Sequence, residues 1–575
     1  MKVSLNWLNE LVDYQLSSDD LASKLSLTSI GVKQQTQDYL ELDLTYNRGD
    51  LLSLRGVAYE VSAITNSPLK FLSQRVEDFV WVGQNLPKTP VEIAQPELAQ
   101  IQCVARIENL KVGVSSQEVV KKLNDSGMRS VDNITDITNL IMLEFGQPLH
   151  SFDASTVKDE TIIVRRAKEG EQITTLDNKL RKLTANDIVL ADTQKPLDVA
   201  GVMGGKDTEI KDSTNTILLS ASLFNPIMVR TTSKKLGLHS EASRRFQHGL
   251  SPMRLLQALD AAIRLYQGLG GKLTAITLTG DFSQVEKAIN LSMEKVNKLL
   301  GLKLDEAVIT DCLKKLSFSV NKIDSDLPAG RQGILEVHPP YFRLDINIEE
   351  DLIEEIARMY GYEKIEGAKL QDEDIPKLDQ SLPNFIYTLK LKLKELGLTE
   401  VNTYSFYSSA VLEAIKSPKT DVKDYLKVAN PLSSETETLR MDLWPNLLEV
   451  ISKNIKKGYK DIGIFEVGKI YFRSPEGKPA EKYTLSIALM NDSDNPLEEL
   501  VSIFQKLSLV NINPAKDLPA GRQETSTLFH PKRILDIQKD NLRIGGAGEV
   551  HLKLLNKLGI EKRVAVLEIN IEKLV

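Results

Sequence analysis

Six of the eleven residues from Asp345 to Glu355 are carboxylic acids. In the stretch DLIEEIARMYGY, Asp351, Glu354 and Glu355 stand at i, i+3 and i+4 and so share one helical face. Leu352, Ile356, Met359 and Tyr360 form the apolar stripe beside them. Like charges at this spacing cost roughly a few tenths of a kcal/mol per pair, and a place at a helix N-terminus offsets part of that. Two readings follow. One is a solvated acidic helix start. The other is a Mg²⁺ site, because hard cations take oxygen ligands and Asp345 can fold over the helix start from upstream. Spacing alone leaves both open.

Other residues with chemistry are fewer. His150 in GQPLH has no second His or Cys at metal-ligand spacing, which favours a hydrogen-bonded structural histidine. Lys234, Lys235, His239, Arg244 and Arg245 form the clearest basic patch, read as a solvated face or a nucleic-acid contact. No GxxxxGK[ST] loop occurs, and the glycines of IGGAGE read as a tight turn rather than a phosphate cradle.

These residues sit in a chain of 575 residues, too long for one core. Apolar content of 42% and charged content of 26% are ordinary for a soluble globular protein. A net charge of −7 excludes a basic coat for nonspecific nucleic-acid binding. Only Cys103 and Cys312 occur, far apart, which fits a reducing compartment. No signal-like or membrane-spanning apolar run is present, so a cytoplasmic protein is expected.

The patterning predicts an α+β, multidomain chain. Residues 1–75 read as an N-terminal α/β unit, in which SSDDLASKL and SLRGVAYEVSAI are helical and YLELDL is a strand. Residues 76–100, with Pro87, Pro90 and Pro96, read as a linker. Residues 101–280 read as a larger α+β domain, with a Ser115-x-x-Glu118 capping box and a long amphipathic helix in PMRLLQALDAAIRLYQGLG. Residues 285–367 read as a small helix-rich domain, and NLSMEKVNKLLG as a helix. Residues 376–575 read as an antiparallel sheet flanked by helices. The heptapeptide DLPAGRQ occurs twice, at Asp326–Gln332 and Asp517–Gln523, and suits exposed loop tips.

PPYFRLDINIEEDLIEEIARMYGYEKI closely resembles a segment of the β subunit of bacterial phenylalanyl-tRNA synthetases. The resemblance extends through LTYNRGDLLSLRGVAYEV, VDNITDITNLIMLEFGQPLHSFD, LDVAGVMGG, LGLHSEASRRFQHGL and VANPLSSETETLRMDLWPNLLEVISKN, in the family's order. It implies that residues 101–280 are an editing domain and 376–575 a degenerate class II synthetase-like domain. It also implies a shared Mg²⁺ site at Asp345, Asp351, Glu354 and Glu355, contacted by the α subunit. LSLTSIGV runs through only a few residues to YLELDL, and the sequence reaches VLEINIEKLV where a further domain would begin. A minimal β subunit is therefore expected, lacking the inserted OB-type tRNA-binding domain and the C-terminal ferredoxin-fold anticodon-binding domain.

Class II chemistry needs an arginine at the ATP α-phosphate. Its usual carriers, Phe-Arg-x-Glu and Gly-x-Gly-x-x-Arg, are not found: in YFRSPEG the acid Glu476 comes one residue late. The resemblance thus implies the non-synthetic β subunit of a phenylalanine–tRNA ligase. It would act in an α₂β₂ heterotetramer with tRNA(Phe), with ATP a substrate at the α subunit and Arg440 a structural ion-pair residue. The editing pocket carried over from the family comprises Pro148, His150, Gly204, Ser240 and Ala242. Ser220 departs from the pattern, since LLSASLF has serine where the family commonly has a glutamate that recognises the tyrosine hydroxyl. Weakened editing of Tyr-tRNA(Phe) is expected. Lys234, Lys235, Arg244 and Arg245 are expected to contact tRNA. The alternatives are a non-enzymatic nucleic-acid-binding paralogue and a free-standing hydrolase of misacylated tRNA.

Overall fold

Helix starts in the first part of the chain are set by short polar side chains. The hydroxyls of Ser17, Ser53, Ser116 and Ser251 and the carboxylates of Asp132 and Asp305 each accept a backbone N–H from the first turn that follows. Each satisfies a donor that has no partner inside the helix. The cap before Gln117–Asp125 is Ser116 rather than Ser115, which instead donates to Asp136 at 2.6 Å. Two adjacent serines made the expected box one residue early.

The computed structural model describes residues 1–71, 75–284, 286–322, 333–367, 378–415, 425–507, 512–513, 528–540 and 542–575. Both DLPAGRQ copies lie outside the described residues. The chain divides into two compact units, Met1–Lys369 and Leu370–Val575.

The first unit opens with a three-stranded antiparallel sheet of Lys2–Ser4, Tyr39–Asp43 and Gly31–Gln35, with Tyr39–Asp43 central. Helices Ser18–Thr28 and Leu54–Thr65 bury Leu21, Leu25, Val57 and Val61 with Val3 and Leu40 of the sheet. Residues 76–100, expected as a linker, are packed. Phe79 and Trp81 are buried among the residues of the next domain, Val80 N–H donates to Asp260 at 2.7 Å, and Val91–Ile93 pairs in parallel with Ile162–Arg166. The prolines mark bends in a segment whose apolar residues are anchored.

Two sheets follow. A four-stranded sheet runs in the order Lys272–Gly280, Ala99–Glu108, Ile217–Phe224, Leu149–Asp153. Alternation gives it two apolar faces. Cys103, Ala105, Ile107, Leu219 and Ala221 pack on helices Asn133–Phe145 and Pro252–Gly268. Val104, Phe152, Leu218 and Phe224 pack instead on residues of a five-stranded sheet, Met203–Gly204, Pro196–Val199, Ile188–Ala191, Ile162–Arg166 and Val91–Ile93. With both faces covered, truncating a residue such as Leu219 to alanine is expected to cost about 2–5 kcal/mol.

Residues 289–362 form helices Met293–Leu300, Glu306–Lys315 and Glu349–Tyr360 with a three-stranded sheet. NLSMEKVNKLLG is not helical throughout: Ile289–Ser292 is an edge strand, and the helix starts at Met293 under the Ser292 cap.

The second unit is a seven-stranded sheet, antiparallel except where Thr399–Glu400 pairs in parallel with Ile462–Arg473 at one edge. On the strand Pro479–Met490, Leu485, Ile487 and Leu489 enter one core with helix Pro496–Lys506, while Ala488 and Met490 enter another with helix Trp444–Ile455. The IGGAGE glycines form no turn. They lie inside the strand Leu542–Val550, where a Cβ on Gly545 would stand 2.1 Å from the Glu568 carbonyl oxygen. The glycine admits a close neighbouring backbone.

Candidate functional site

A cavity of about 80 Å³ lies between the two sheets of the 99–280 region. The four-stranded sheet supplies His150, Ser220, Ser222 and Phe224, with Pro148 just before its strand Leu149–Asp153; the five-stranded sheet supplies Leu190, Asp198 and Gly204; Ala242 and Phe246 come from the helix Glu241–Phe246. Ser220 is the direct cross-strand partner of His150, and Asp198 pairs with both Leu190 and Gly204. Five of the six expected pocket residues, Pro148, His150, Gly204, Ser220 and Ala242, thus line one space. Ser240 does not. Its hydroxyl donates to the Val202 carbonyl at 2.6 Å and accepts from Ser243 N–H, so it caps the helix that carries Ala242.

The polar groups of the cavity divide into tied and untied. Gln102 is fully buried beneath it; its Nε2 donates to Ser220 Oγ at 2.8 Å, and Ser222 Oγ donates to its Oε1 at 2.6 Å. His150 stands edge-on against Phe152, with ring centroids 4.6 Å apart, and its Nε2 is buried with no partner. Burial pushes its pKa down to about 4, so the imidazole is neutral at physiological pH. Asp198, 7% exposed, has an Oδ1 with no partner, and burial pushes its carboxyl up to about 8. Sequence reading missed Asp198 and Gln102. The signal at Asp198 was a lone acid between Leu197 and Val199, both buried, two residues before the Ala200–Gly205 stretch that completes the pocket.

The four acids assigned to Mg²⁺ do not converge. Asp345 takes both Arg343 Nε and Nη2, at 2.9 and 2.8 Å. Glu355 takes Arg343 Nη1 at 2.5 Å and Arg358 Nη2 at 2.6 Å. Asp351 Oδ2 accepts the backbone N–H groups of Asn347 and Ile348 at 2.7 and 3.0 Å, and Glu354 is exposed. Among the described residues no group of three or more His, Cys, Asp or Glu is arranged to hold a metal. The carboxylates therefore do not fit a bound Mg²⁺ as they stand. Arginines meet the charge instead. Arg358 also pairs with Glu60 at 2.8 Å, Glu60 with Arg48 at 2.6 Å, and Arg48 with Asp50 at 2.8 Å. Three arginines and four carboxylates alternate in one buried chain that joins residues 48–60 to residues 343–358. Burial alone would raise Glu355, but Arg358 and Arg343 outweigh it and hold its pKa at about 2; Arg358 and Arg48 likewise hold Glu60 far below the usual range.

The basic patch is smaller than expected. Lys234, Lys235 and Arg244 are exposed, with Lys235 paired to Asp187. Arg245 is fully buried, donating to the Leu52 carbonyl and to Glu241, and cannot meet an external ligand.

Comparison with known proteins places these features. Residues 100–271 match the B3/4 domain, 289–362 the tRNA synthetase B5 domain, and 379–571 the phenylalanyl tRNA synthetase beta chain CLM domain. The phenylalanine–tRNA ligase beta subunit of Syntrophus aciditrophicus is 33% identical over 563 residues, covering 92% of this chain and 67% of that one. Its counterpart in Carboxydothermus hydrogenoformans is 34% identical over 564 residues, covering 94% and 67%. The chain belongs to the phenylalanine–tRNA ligase β-subunit family. An N-terminal fragment of the Pyrococcus horikoshii phenylalanyl-tRNA synthetase β subunit is 16% identical with a TM-score of 0.35, covering 63% of this chain and 99% of that one.

In this β-subunit family member the B3/4 match contains every residue that lines the cavity, and the B5 match contains Arg343 through Arg358. The CLM match contains a cleft of about 670 Å³ lined by Trp444, Phe472, Lys482, Phe529 and Arg543. Arg543 is paired with Asp536 at 2.8 Å. Arg440 pairs with Glu466 at 2.8 Å and donates to the Lys469 carbonyl at 2.9 Å, the structural role expected of it. Burial raises both Asp442 and Glu568, which face each other there. Arg543 and Arg440 are thus held by carboxylates of the fold, and Lys482 lies over the Phe472 ring, 5.1 Å from its centroid. No helix among the described residues is long and apolar enough to cross a membrane.

Proposed function

We propose that this chain acts as the β subunit of a phenylalanine–tRNA ligase in the cytoplasm. It would pair with an α subunit in an α₂β₂ assembly to support ATP-dependent attachment of phenylalanine to tRNA(Phe), with ATP consumed at the α subunit. The observation that carries this reading is the match of three family domains in order, together with relatives that align over more than nine-tenths of the chain. The CLM domain then serves as scaffold and partner surface.

The cavity in the B3/4 domain is proposed as a hydrolytic site for mischarged tRNA. A phenylalanine pocket cannot strongly reject tyrosine, which merely adds a hydroxyl, so a second site that admits tyrosine has work to do. Water adds to the ester carbonyl, the bond to the tRNA ribose oxygen breaks, and free tyrosine and tRNA leave. His150, neutral and with Nε2 free, can accept a hydrogen bond from that water. A pKa near 4 makes it a positioning group rather than a strong base. Lys234, exposed on the helix Pro226–Leu236, and Arg244, exposed on the helix that carries Ala242, are proposed tRNA contacts. Ser220 is uncharged and already accepts from Gln102, so it grips a phenol less strongly than a carboxylate would. Editing through position 220 is weakened.

Two measurements test this. Co-expression with a cognate α subunit should yield one complex of α₂β₂ mass; a stable monomer that binds generic duplex without α would favour the nucleic-acid-binding alternative. Deacylation of Tyr-tRNA(Phe) by the complex should be slow but above the spontaneous rate, and lost when His150 is replaced by alanine.

A further inference from the structure

We propose that Asp198 recognises the hydroxyl of the ligand's side chain in the B3/4 cavity, supplying the carboxyl group that Ser220 lacks. The inference rests on the reading of that cavity as a hydrolytic site. The ligand class is an aminoacyl group ending in a hydroxyl, with tyrosine's phenol the best fit to the apolar walls Leu190, Met203, Phe224 and Phe246.

Asp198 stands apart from the other buried acids of the first unit. Asp50, Glu60 and Glu355 are paired with arginines, Asp187 with Lys235 and Thr232, and Asp153 with Thr214. Asp136 takes two hydroxyls, and Asp192 takes backbone N–H groups. Asp198 Oδ1 is the one buried carboxylate oxygen without a partner among the described residues. Among the described residues it is also the only acid lining the cavity, and no lysine or arginine lines it. A buried polar atom left unpaired in a folded protein calls for an explanation, and a ligand that arrives later is one.

The neighbours narrow what that ligand group must be. Ser222 spends its O–H on Gln102, while Ser220 accepts from Gln102 and keeps its own short, uncharged O–H. The buried lining atoms with no hydrogen bond at all are Asp198 Oδ1, from the five-stranded sheet, and His150 Nε2, from the four-stranded sheet. Burial keeps the Asp198 carboxyl protonated at neutral pH, so it can donate as well as accept. A hydroxyl is matched to it, since it too donates and accepts. A carboxylate or phosphate is not: it would bring a net charge into a cavity with no cation to meet it. A methyl or bare phenyl edge would leave Asp198 unpaired, which is how a site built for a hydroxyl discriminates against its absence.

The test uses the assembled α₂β₂ complex and two non-hydrolysable probes, 3′-(tyrosylamino)adenosine and 3′-(phenylalanylamino)adenosine, with calorimetric binding as the readout. The wild-type complex should prefer the tyrosyl probe by about tenfold or more, and Asp198→Ala should reduce that preference to about threefold or less. Because a variant at a buried site can fail to fold, infrared difference spectra of the wild-type complex provide a second readout. The band of a buried protonated carboxyl, identified by its loss in Asp198→Asn, should shift with the tyrosyl probe and not with the phenylalanyl one. An equal affinity of the wild type for both probes, a preference that survives Asp198→Ala, or an unshifted band overturns the proposal. Selective binding by a complex that leaves Tyr-tRNA(Phe) intact would defeat the hydrolytic reading and leave Asp198's role standing. Hydrolysis of Tyr-tRNA(Phe) by a complex whose preference ignores Asp198 would do the reverse.

Discussion

Gly204 and His150 are in direct contact: a Cβ added at position 204 would lie 2.7 Å from His150 Cε1 and 2.9 Å from its Nε2. The imidazole occupies the space that any other side chain at 204 would need. Gly204 is also the cross-strand partner of Asp198, so a single glycine sets how closely the two sheets bring the histidine and the acid together.

Replacing Gly204 by alanine should therefore push the ring or the strand aside by about an ångström, the distance from 2.7 Å to ordinary contact. Misplacement on the scale of an ångström costs roughly a hundredfold in rate. Deacylation of Tyr-tRNA(Phe) by the Gly204→Ala complex is expected to fall by about that factor. Phenylalanylation of tRNA(Phe), carried out at the α subunit, serves as the internal reference.

Arg358 bridges Glu60 and Glu355 in the buried charge network. Replacing it by methionine leaves two carboxylates facing each other with less compensation, and breaking such a pair from one side costs about 3–5 kcal/mol. Chemical denaturation of the chain should show that loss. The acid limb has a definite sign. Glu60 and Glu355 are depressed in the folded state, so their stabilisation is present above the ordinary carboxylate range and is lost as pH falls towards 2. Arg358→Met should flatten this limb of the stability profile.

Asp198 has the opposite sign. Its folded pKa of about 8 exceeds its ordinary value of 3.8, so the folded state is favoured most below 3.8 and loses stability as pH rises towards 8. Within the cavity the other titrating group is His150, whose pKa of about 4 leaves it mostly neutral from pH 5 to pH 8. Asp198→Asn removes the carboxyl's titration. The variant should gain on the wild type between pH 5 and pH 8, by on the order of a few kcal/mol, in thermal melts at the two pH values.

Chelation is a further check on the acidic helix. Asp345 and Glu355 are held by Arg343 and Arg358, so ion pairs within the chain already meet their charge. Adding EDTA to the isolated chain should leave its melting midpoint where it was, whereas a chain that uses metal to fold melts earlier once it is stripped. A drop in the midpoint would put a cation back among these carboxylates.

Much of the fold was legible in the sequence because it is written locally. Helix Pro252–Gly268 follows its apolar period, and strand Pro479–Met490 shows residues that alternate between two cores. The acidic helix was legible as a helix, but not what meets its charge. Arg343 is two residues from Asp345, yet Glu60 lies 298 residues from Arg358, and no local pattern reports such a contact. Arg245 read as surface because it neighbours Arg244, although one faces solvent and the other the core. The IGGAGE glycines read as a turn because a strand that must admit a close backbone uses the same residue as a turn that must reverse one. Resemblance pointed to His150 and Gly204, which line the cavity. Asp198 was missed because an acid between two apolar residues in a short strand resembles an exposed edge until the second sheet is laid over it.

The most direct test of the central claim is a phenylalanylation assay with purified components: this chain alone, a cognate α subunit alone, and the two mixed, each with ATP, phenylalanine and tRNA(Phe). The account predicts that only the mixture charges tRNA at a sustained rate. Charging by this chain alone, or a mixture no more active than its α subunit, would contradict it.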